Sequence, residues 1–545
     1  GTSAASGGPT GTGASIVDGS VTWTYESASV GNFNKIWKHT KIGNTWADPT
    51  GAAINVSSPY SNTGLSAGYF SCISLDPFAA GRLIIGSERG DIIIGTSGGT
   101  SLTKLNPGPR PVGGDAPWML HASTNESVSN QYRSCGRIFY DKFVQNKLWC
   151  FDGIGVYSFA GTAALGPTDD LQWVPKTMGI EELVVQRIDA LPNGKAIFPS
   201  WDRALVVVDN PDAARTRYFG HNPNDAAVAI RDGMCADWKG MDTSLITFGT
   251  YNRGFNDSAA LTGGSGTSTD GGVSFTALGI TPTTGTNPPS TNARHCGELV
   301  AMGVNNYIWI PMFAQHPKVS VNGAAFTEIN LLESGGAPLS SYYGFSQVNY
   351  LRMKSIAVDR KNTNKGCMIK QFTGATDGCI WKSTDGGVTW TYVRANPFSA
   401  STFHHKLKSV WDREDNYIFT PGTRDGDTTS PLYYTDDFWA TVKTFDGVSA
   451  VVDFDTGRPI PGSDYPTIAI IGYVNGVWGF YHSTDWGASW EKDSEHPLDW
   501  GGEYSGIAVD KVHAGRIWGS FQGAGAFYTD GALVGRRRGS LRMVA

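Results

Sequence analysis

The chain has 545 residues, with 43 Lys and Arg against 49 Asp and Glu, a net charge of −6 and only 17% charged residues. That balance gives no basic footprint for nucleic acid, and no apolar run approaches the ~20 residues of a membrane span. Sixty-nine glycines and 12% aromatic residues fit many short strands and hairpins, an all-β chain without long helices.

Residues 1–30 are rich in Gly, Ser, Thr and Ala and read as a linker that tightens into a short β segment, Asp18-Gly19-Ser20-Val21-Thr22-Trp23-Thr24-Tyr25. The opening Gly-Thr-Ser shows no secretory pattern and no Met, so residue 1 reads as either a processed end or an artificially chosen one. Residues 31–545 read as one body built from repeats. The first fragment is Trp37 to Trp46, and the first full unit runs from Cys72-Ile73-Ser74-Leu75-Asp76-Pro77 through Arg82-Leu83-Ile84-Ile85-Gly86 to Asp91-Ile92-Ile93-Ile94.

An inner-strand pattern of small and apolar residues closing on Asp gives the count. It ends at Asp76, Asp141, Asp189, Asp237, Ala301 (Asp lost), Asp359, Asp412, Asp453 and Asp510. Nine units at roughly 50-residue spacing suit radial four-stranded blades.

The most regular stretch is Ser383-Thr384-Asp385-Gly386-Gly387-Val388-Thr389-Trp390. It returns as Ser268 to Phe275 around Asp270 and as Ser483 to Trp490 around Asp485, with worn copies near Asp169, Asn322, Asp436 and Asp530. Gly supplies the positive φ of a tight turn, Asp accepts its backbone N–H groups, and the aromatic anchors the next layer. The stretch resembles the Asp-box repeats of sialidase-type and xyloglucanase-type β-propellers. That resemblance implies a β-propeller of four-stranded blades with Asp-box hairpins. One large ring of nine or ten blades is expected, with seven blades plus an added domain, or two tandem propellers, as alternatives.

The seven cysteines, at 72, 135, 150, 235, 296, 367 and 379, are odd in number and lack metal-ligand spacing. Most read as buried thiols. Only Cys367 and Cys379 are placed to face one another across a hairpin, as candidates for a disulfide. His404-His405 lacks the company of a zinc site, and Asp425-Gly426-Asp427 matches only the start of a calcium loop. No Gly-rich phosphate loop occurs either, so neither metal nor cofactor is expected.

In such a blade the box lies on the opposite rim from the connections joining strand 2 to strand 3 and each blade to the next. Asp270, Asp385 and Asp485 are therefore read as structural, and chemistry is sought on the other rim. Its loops carry Ser87-Glu88-Arg89, Phe151-Asp152, Ser200-Trp201-Asp202-Arg203, Tyr251-Asn252-Arg253 and Thr423-Arg424-Asp425. Between blades stand Trp118, the pair Tyr342-Tyr343, and Trp500 with Tyr504. Exposed aromatics can stack on pyranose rings, and arginines can take acidic sugars with two parallel bonds.

The first unit, Ile73 through Ile94, is similar to the opening blade of xyloglucanase-type hydrolases of family 74. Those carry a catalytic Asp in a Thr-Asp-x-Gly-Gly loop, and Glu88 stands at the matching place. Asp91 replaces the second Gly. The family's second carboxylate belongs to a Gly-Asp-x-Gly-Gly-Phe loop; the nearest stretch, Gly249 to Phe255, has no acid there, so Asp152 and Asp202 are taken on position alone. A sialidase would need an Arg-Ile-Pro signature, which is absent: Phe139 follows Arg137-Ile138 and Trp518 follows Arg516-Ile517.

The segment around Val21-Thr22-Trp23 is also similar to bacteriophage tail-fibre and tailspike proteins. Residues 388–392 repeat the same five letters, so it also reads as one more degenerate box. Two functions follow as expectations. The first is a virion-located, tail-associated receptor-binding propeller. It would contact host-surface glycan and other tail proteins, as a homotrimer, with Arg89, Trp118, Arg203, Arg253, Arg424, Trp500 and Tyr504 holding the sugar. The second is a secreted glycan depolymerase or endo-glycosidase using Glu88 with Asp152 or Asp202. A non-catalytic virion protein shades into the first. The tail cluster Arg536-Arg537-Arg538 reads as a solvated end.

Overall fold

The computed structural model describes residues 15–18, 21–25, 35–42, 45–46, 54–55, 70–87, 92–96, 101–105, 135–152, 156–161, 171, 173–176, 185–200, 204–211, 218–219, 232–239, 246–251, 265–272, 276–277, 299–310, 317–338, 354–370, 379–394, 405–421, 430–494, 504–521, 525–530 and 542–544. Among them every regular element is a strand, arranged in ten sheets. The chain divides into two compact units, Gly1–Glu182 and Leu183–Ala545.

The first unit holds three sheets. In the first, Ser15–Asp18, Val21–Tyr25, Lys35–Ile42 and Thr45–Trp46 follow in order, and Ile54–Asn55 pairs with Lys35–Ile42. The second is Phe70–Leu75, Leu83–Ser87, Ile92–Thr96 and Ser101–Leu105. The third is Cys135–Tyr140, Lys147–Asp152, Val156–Ala160 and Val174–Pro175. The last two pack inner strand on inner strand: the Ile138 amide donates to Cys72 Sγ (3.0 Å) and the Tyr140 amide to Ser74 Oγ (3.3 Å).

The second unit holds seven sheets, with inner strands Asp189–Ala190, Asp232–Trp238, Leu299–Met302, Ile356–Val358, Lys406–Ser409, Val448–Gly457 and Tyr504–Val509. Six are four-stranded antiparallel meanders. The fourth gains an edge strand, Asn330–Leu332, running parallel to Thr389–Arg394. Each sheet packs on the next, and the last packs on the first. A Cβ on Gly506 would stand 2.8 Å from the Ile188 amide nitrogen and 3.0 Å from Arg187 Cα, so that seam requires glycine. Every inner strand read from the sequence has its counterpart. The contacts group the described sheets into three and seven, and within the second unit the seventh packs on the first.

The core lies between sheets. Trp381 and Trp390 are fully buried, packed with Ile308, Trp309 and Met368 from the third and fourth sheets of this unit. The Trp390 indole N–H donates to the Gly387 carbonyl (2.8 Å), which satisfies its one polar atom. Gly387 itself has φ +89°, and a Cβ there would press on Ile308 Cδ1 at 2.5 Å.

The Ser-x-Asp turns share one hydrogen-bond pattern. Ser383 Oγ donates to Asp385 (2.8 Å) and accepts the Gly387 amide (2.9 Å), while Asp385 accepts the Thr389 amide (2.9 Å). Asp485 repeats this with Ser483, Gly487 and Ser489, and Asp270 is bound by Ser268, whose Oγ accepts the Gly272 amide. A fourth copy is built on Thr435, Asp437, Trp439 and Thr441. Its carboxylate is thus Asp437, one residue beyond the Asp436 singled out from the sequence. Phe438 and Trp439 take the left-handed φ values (55° and 70°) that glycines hold in the Asp270 and Asp385 copies. Their burial in the fifth-sheet core offsets that strain.

The other worn copies differ. Ser320 Oγ donates to the Ala324 carbonyl instead of accepting an amide, Asp530 forms a fork with Arg516, and Asp169 lies outside the described residues.

The expected cysteine pair is also corrected. In the register of that hairpin Cys367 lies opposite Lys382 and Cys379 opposite Lys370, and Cys367 is a free, buried thiol. Neither cysteine faces the other, because the hairpin is three residues out of the alignment a disulfide needs.

The shifted turn yields a discriminating prediction. Asp437→Ala removes the acceptor of the Thr441 amide and hydroxyl and is expected to cost about 1 kcal/mol, seen as a fall of a few degrees in melting temperature. Asp436→Ala removes only an exposed ion pair with Lys443 and should leave the melting temperature unchanged.

Candidate functional site

Antiparallel meanders place the strand 1–2 and 3–4 turns of each sheet at one end and the remaining connections at the other. The two turn sets are tied together: the Gly386 amide donates to the Asn364 carbonyl (2.8 Å), and Ser463 Oγ donates to the Thr484 carbonyl (2.6 Å). This turn rim is stapled by its own hydrogen bonds. The loop rim opposite is where the sequence places its candidates.

Asp152 is the last residue of its second strand, opposite Cys135, and Tyr504 is the first residue of the last inner strand, opposite Phe521. Glu88, Arg89, Trp118, Asp202, Arg203, Arg253, Arg424 and Trp500 lie outside the described residues. Glu88 follows directly on Ser87, which ends the second strand of the sheet beside that of Asp152. Five inner strands slip register near this rim, around Ser71, Gly136, Met234, Ser449 and Ser505. Such bulges re-aim side chains at strand ends.

Two features of the second unit escaped the sequence reading. In its sixth sheet Tyr473 and Trp478 stand opposite each other beside the Asn475-Gly476 turn, with ring centroids 5.0 Å apart. Both are half-buried, and Val477 next to them is 50% exposed. Asn475 and Gly476 have φ 49° and 77°, the geometry of an Asn-Gly hairpin, so the dipeptide was the signal that could have found this pair.

The second feature is a buried axis of charge. Arg187 grips Asp189 with two bonds (3.0 and 3.1 Å). Asp237 accepts the Met302 amide (2.9 Å), the Arg360 guanidinium and, at 3.5 Å, the Lys354 ammonium. Asp453 and Asp455 accept the Ile507 and Val509 amides (3.0 and 2.9 Å), Lys511 meets Asp455 at 2.7 Å, and Lys408 meets Asp453 at 3.4 Å. Burial alone would raise the Asp189 pKa, but Arg187, Lys354 and Lys408 outweigh it and hold the carboxyl down at about 2. Asp237 is likewise lowered, with Arg360 and Lys354 overcoming its burial.

The inner-strand Asp pattern therefore serves two purposes. Asp189, Asp237 and Asp453 enter the axis. Asp141, Asp359 and Asp510 instead cap the following turn, each accepting the amides two and three residues on. Asp412 does neither and is 66% exposed. Among the described residues no group of three or more His, Cys, Asp or Glu is placed to hold a metal ion, and His405 is buried with its pKa pressed down to about 4.

With this geometry in view, the chain was compared with known proteins. No family model matches. Xyloglucanase Xgh74A of Acetivibrio thermocellus is 26% identical over 233 residues, 43% of this chain and 24% of that protein. A xyloglucanase of a Paenibacillus species is 26% identical over 172 residues, 32% of this chain and 16% of its own. The matched stretch thus spans a quarter or less of these relatives. Among solved structures, the family 74 enzyme of Niastella koreensis superposes with a TM-score of 0.67 at 19% identity, covering 95% of this chain and 67% of that one. The family 74 xyloglucanase of Xanthomonas campestris gives 0.68 at 17% identity, covering 93% and 65%. The chain is a β-propeller homologous to family 74 xyloglucanases.

These relatives overturn the expectation of a phage receptor-binding protein. The similarity falls on proteins named as hydrolases, and no link to a tail fibre is found. The Val21–Tyr25 segment that suggested one is a strand paired on both sides, with Ser15–Asp18 and Lys35–Ile42.

The axis makes an acid-stability prediction. Asp189→Asn leaves the buried Arg187 guanidinium without its anion and is expected to cost about 3–5 kcal/mol at neutral pH. The folded pKa is depressed, so the contribution of the carboxylate is full above its unfolded value near ~4 and is lost as pH falls through about 2. Urea midpoints of parent and variant should therefore converge between those two values.

Proposed function

We propose that this chain is a glycoside hydrolase that cuts the backbone of a neutral β-glucan of the xyloglucan class at internal positions. The observation carrying the reading is the 233-residue match to a protein named xyloglucanase. The propeller fold agrees with it, and an uncharged polymer suits a protein without a basic surface. Such a polymer does not enter a cell, so the reading sets the place of action outside it.

In this reading the loop rim is the working face, and the four stapled turns are Asp boxes that hold the opposite end. Glu88 and Asp152 are our choice of carboxyl pair, because Glu88 follows and Asp152 ends the second strands of two sheets that pack on each other within the first unit. One would protonate the leaving oxygen and the other activate water, which inversion requires at a separation of about 6.5–9.5 Å. Asp202, which follows the strand Ala196–Ser200 by two residues in the sequence, is the alternative partner. Tyr473 and Trp478 would offer a stacking platform along the second unit's loop rim. Arg89, Trp118, Arg203, Arg253, Arg424, Trp500 and Tyr504 are carried forward as sugar contacts.

The test is release of reducing ends from xyloglucan, together with a fall in viscosity that marks internal cutting. Glu88→Gln and Asp152→Asn should each lower kcat by about 10²–10⁴-fold with KM little changed. Asp202→Asn in the same series decides between the two partners, and Trp478→Ala should raise KM with kcat preserved. Absence of cleavage on xyloglucan and other β-glucans, or full activity in Glu88→Gln, would refute the reading.

A further inference from the structure

The axis of the second unit opens at its turn rim into a small cavity lined by Lys354, Arg360, Lys408 and Lys511 and by Asp189 and Asp455. Two indoles form its sides: the Arg360 guanidinium lies 4.0 Å from the centre of the Trp238 ring, and the Lys511 ammonium lies 5.8 Å from that of Trp411. The lining holds four cationic groups against two carboxylates. Including the rest of the axis, with Arg187 and Lys406 against Asp237 and Asp453, leaves the same positive excess.

That excess is buried. The side chains of Lys354 and Lys511 are 3% and 2% exposed. Uncompensated charge at such depth is costly, and proteins answer it by neutralising the group or by pairing it. Lys511 is well supplied, with Asp455 and the Thr456 carbonyl as acceptors. Lys354 is not. Its ammonium has three N–H groups to place and, among the described residues, meets one hydrogen-bond acceptor, Asp237, at 3.5 Å, with the centre of the Trp238 ring 5.9 Å away. Burial, reinforced by nearby Arg187, pushes its pKa down, while Asp237 and Asp189 only partly restore it.

We infer that this cavity is a binding site for a small inorganic oxyanion such as phosphate or sulfate. The anion would accept from the unspent donors of Lys354 and from the neighbouring Arg360, Lys408 and Lys511. Ser409 and Thr456, also on the lining, add polar contacts. Asp189 and Asp455 face the same space and oppose an anion, but each is already engaged by a cation, Arg187 and Lys511 respectively. The site lies at the turn rim of the second unit, the opposite end of that unit from its Tyr473 and Trp478 pair.

The experiment is thermal unfolding of the full chain in low-millimolar sodium phosphate, with ionic strength held constant by sodium chloride. A saturable rise of a few degrees in melting temperature is expected, reproduced by sulfate. Lys354→Met, which keeps the length of the side chain, should abolish the response. Equal effects of chloride and phosphate, or a Lys354→Met chain that responds like the parent, would overturn the inference. Should that variant fail to fold, phosphorus NMR of phosphate with the parent chain decides. Line broadening reversed by sulfate supports the site, and unbroadened lines refute it.

Discussion

The second unit depends on the seam at which its seventh sheet meets its first. A stack of sheets has two open ends, and each would expose an apolar sheet face to water. Here Gly506 lets the last inner strand approach the backbone of Arg187 and Ile188. From the other side the same strand is held by side chains: Asp453 and Asp455 take its amides at Ile507 and Val509, and Lys406 and Lys408 donate to its carbonyls at Ser505 and Ile507 (3.5 and 3.3 Å). The ends of the long lysines thus cross the axis and pin the closing strand from the fifth sheet. Apolar side chains of similar volume could fill that space at no loss of stability. They would not specify register, because burial is indifferent to a shift of two residues whereas a carboxylate opposite an amide is not.

How far this was legible follows from what each signal depends on. The Ser-x-Asp turns are local: hydroxyl, carboxylate and amides lie within seven residues, so the letters alone determine them. The nine inner strands were legible for the same reason, since an apolar run closing on Asp marks eight of them and Ala301 stands in the Asp place of the ninth. The division into three and seven was not. It rests on whether residue 506 can approach residue 187, a contact spanning most of the unit that leaves only a glycine among many. The dual use of Asp was equally hidden. Asp237 and Asp510 end similar strands, but one lies before the strand turns outward and faces Arg360, and the other lies beyond it and caps a turn. A shift of two residues along the strand exchanges the roles.

The misread turn at Asp436-Asp437 and the misread cysteine pair share a cause. In both, position in a hairpin was judged from letter order, and a one- or three-residue difference in register changes which groups meet. Phe438 and Trp439 obscured the turn further, since aromatic residues at positive φ are not what a turn reading expects. The same limit explains the tail-fibre resemblance. Five letters of β-prone sequence recur at Val21–Tyr25 and again at residues 388–392 because both are strands in sheets, and a shared strand pattern says nothing of function.

The distribution of charge separates the two ends of the ring. The chain as a whole is acidic, at −6, yet the described axis carries six cations against four carboxylates. Composition therefore runs against this concentration of positive charge. Closure alone does not require it either: the Val509 amide and Lys511 bond Asp455, and the Ile507 amide bonds one oxygen of Asp453, whose other oxygen has only Lys408 as an ion-pair partner among the described residues. Lys354 is the residue in excess: it stands three sheets from the seam, and its ammonium makes no hydrogen bond to the closing strand among the described residues. Its backbone bridges to the fifth sheet through the His405 carbonyl and the Leu407 amide, so an apolar residue would serve that pairing equally well. A buried ammonium kept where neither pairing nor closure calls for it points to an acceptor that the polypeptide does not supply.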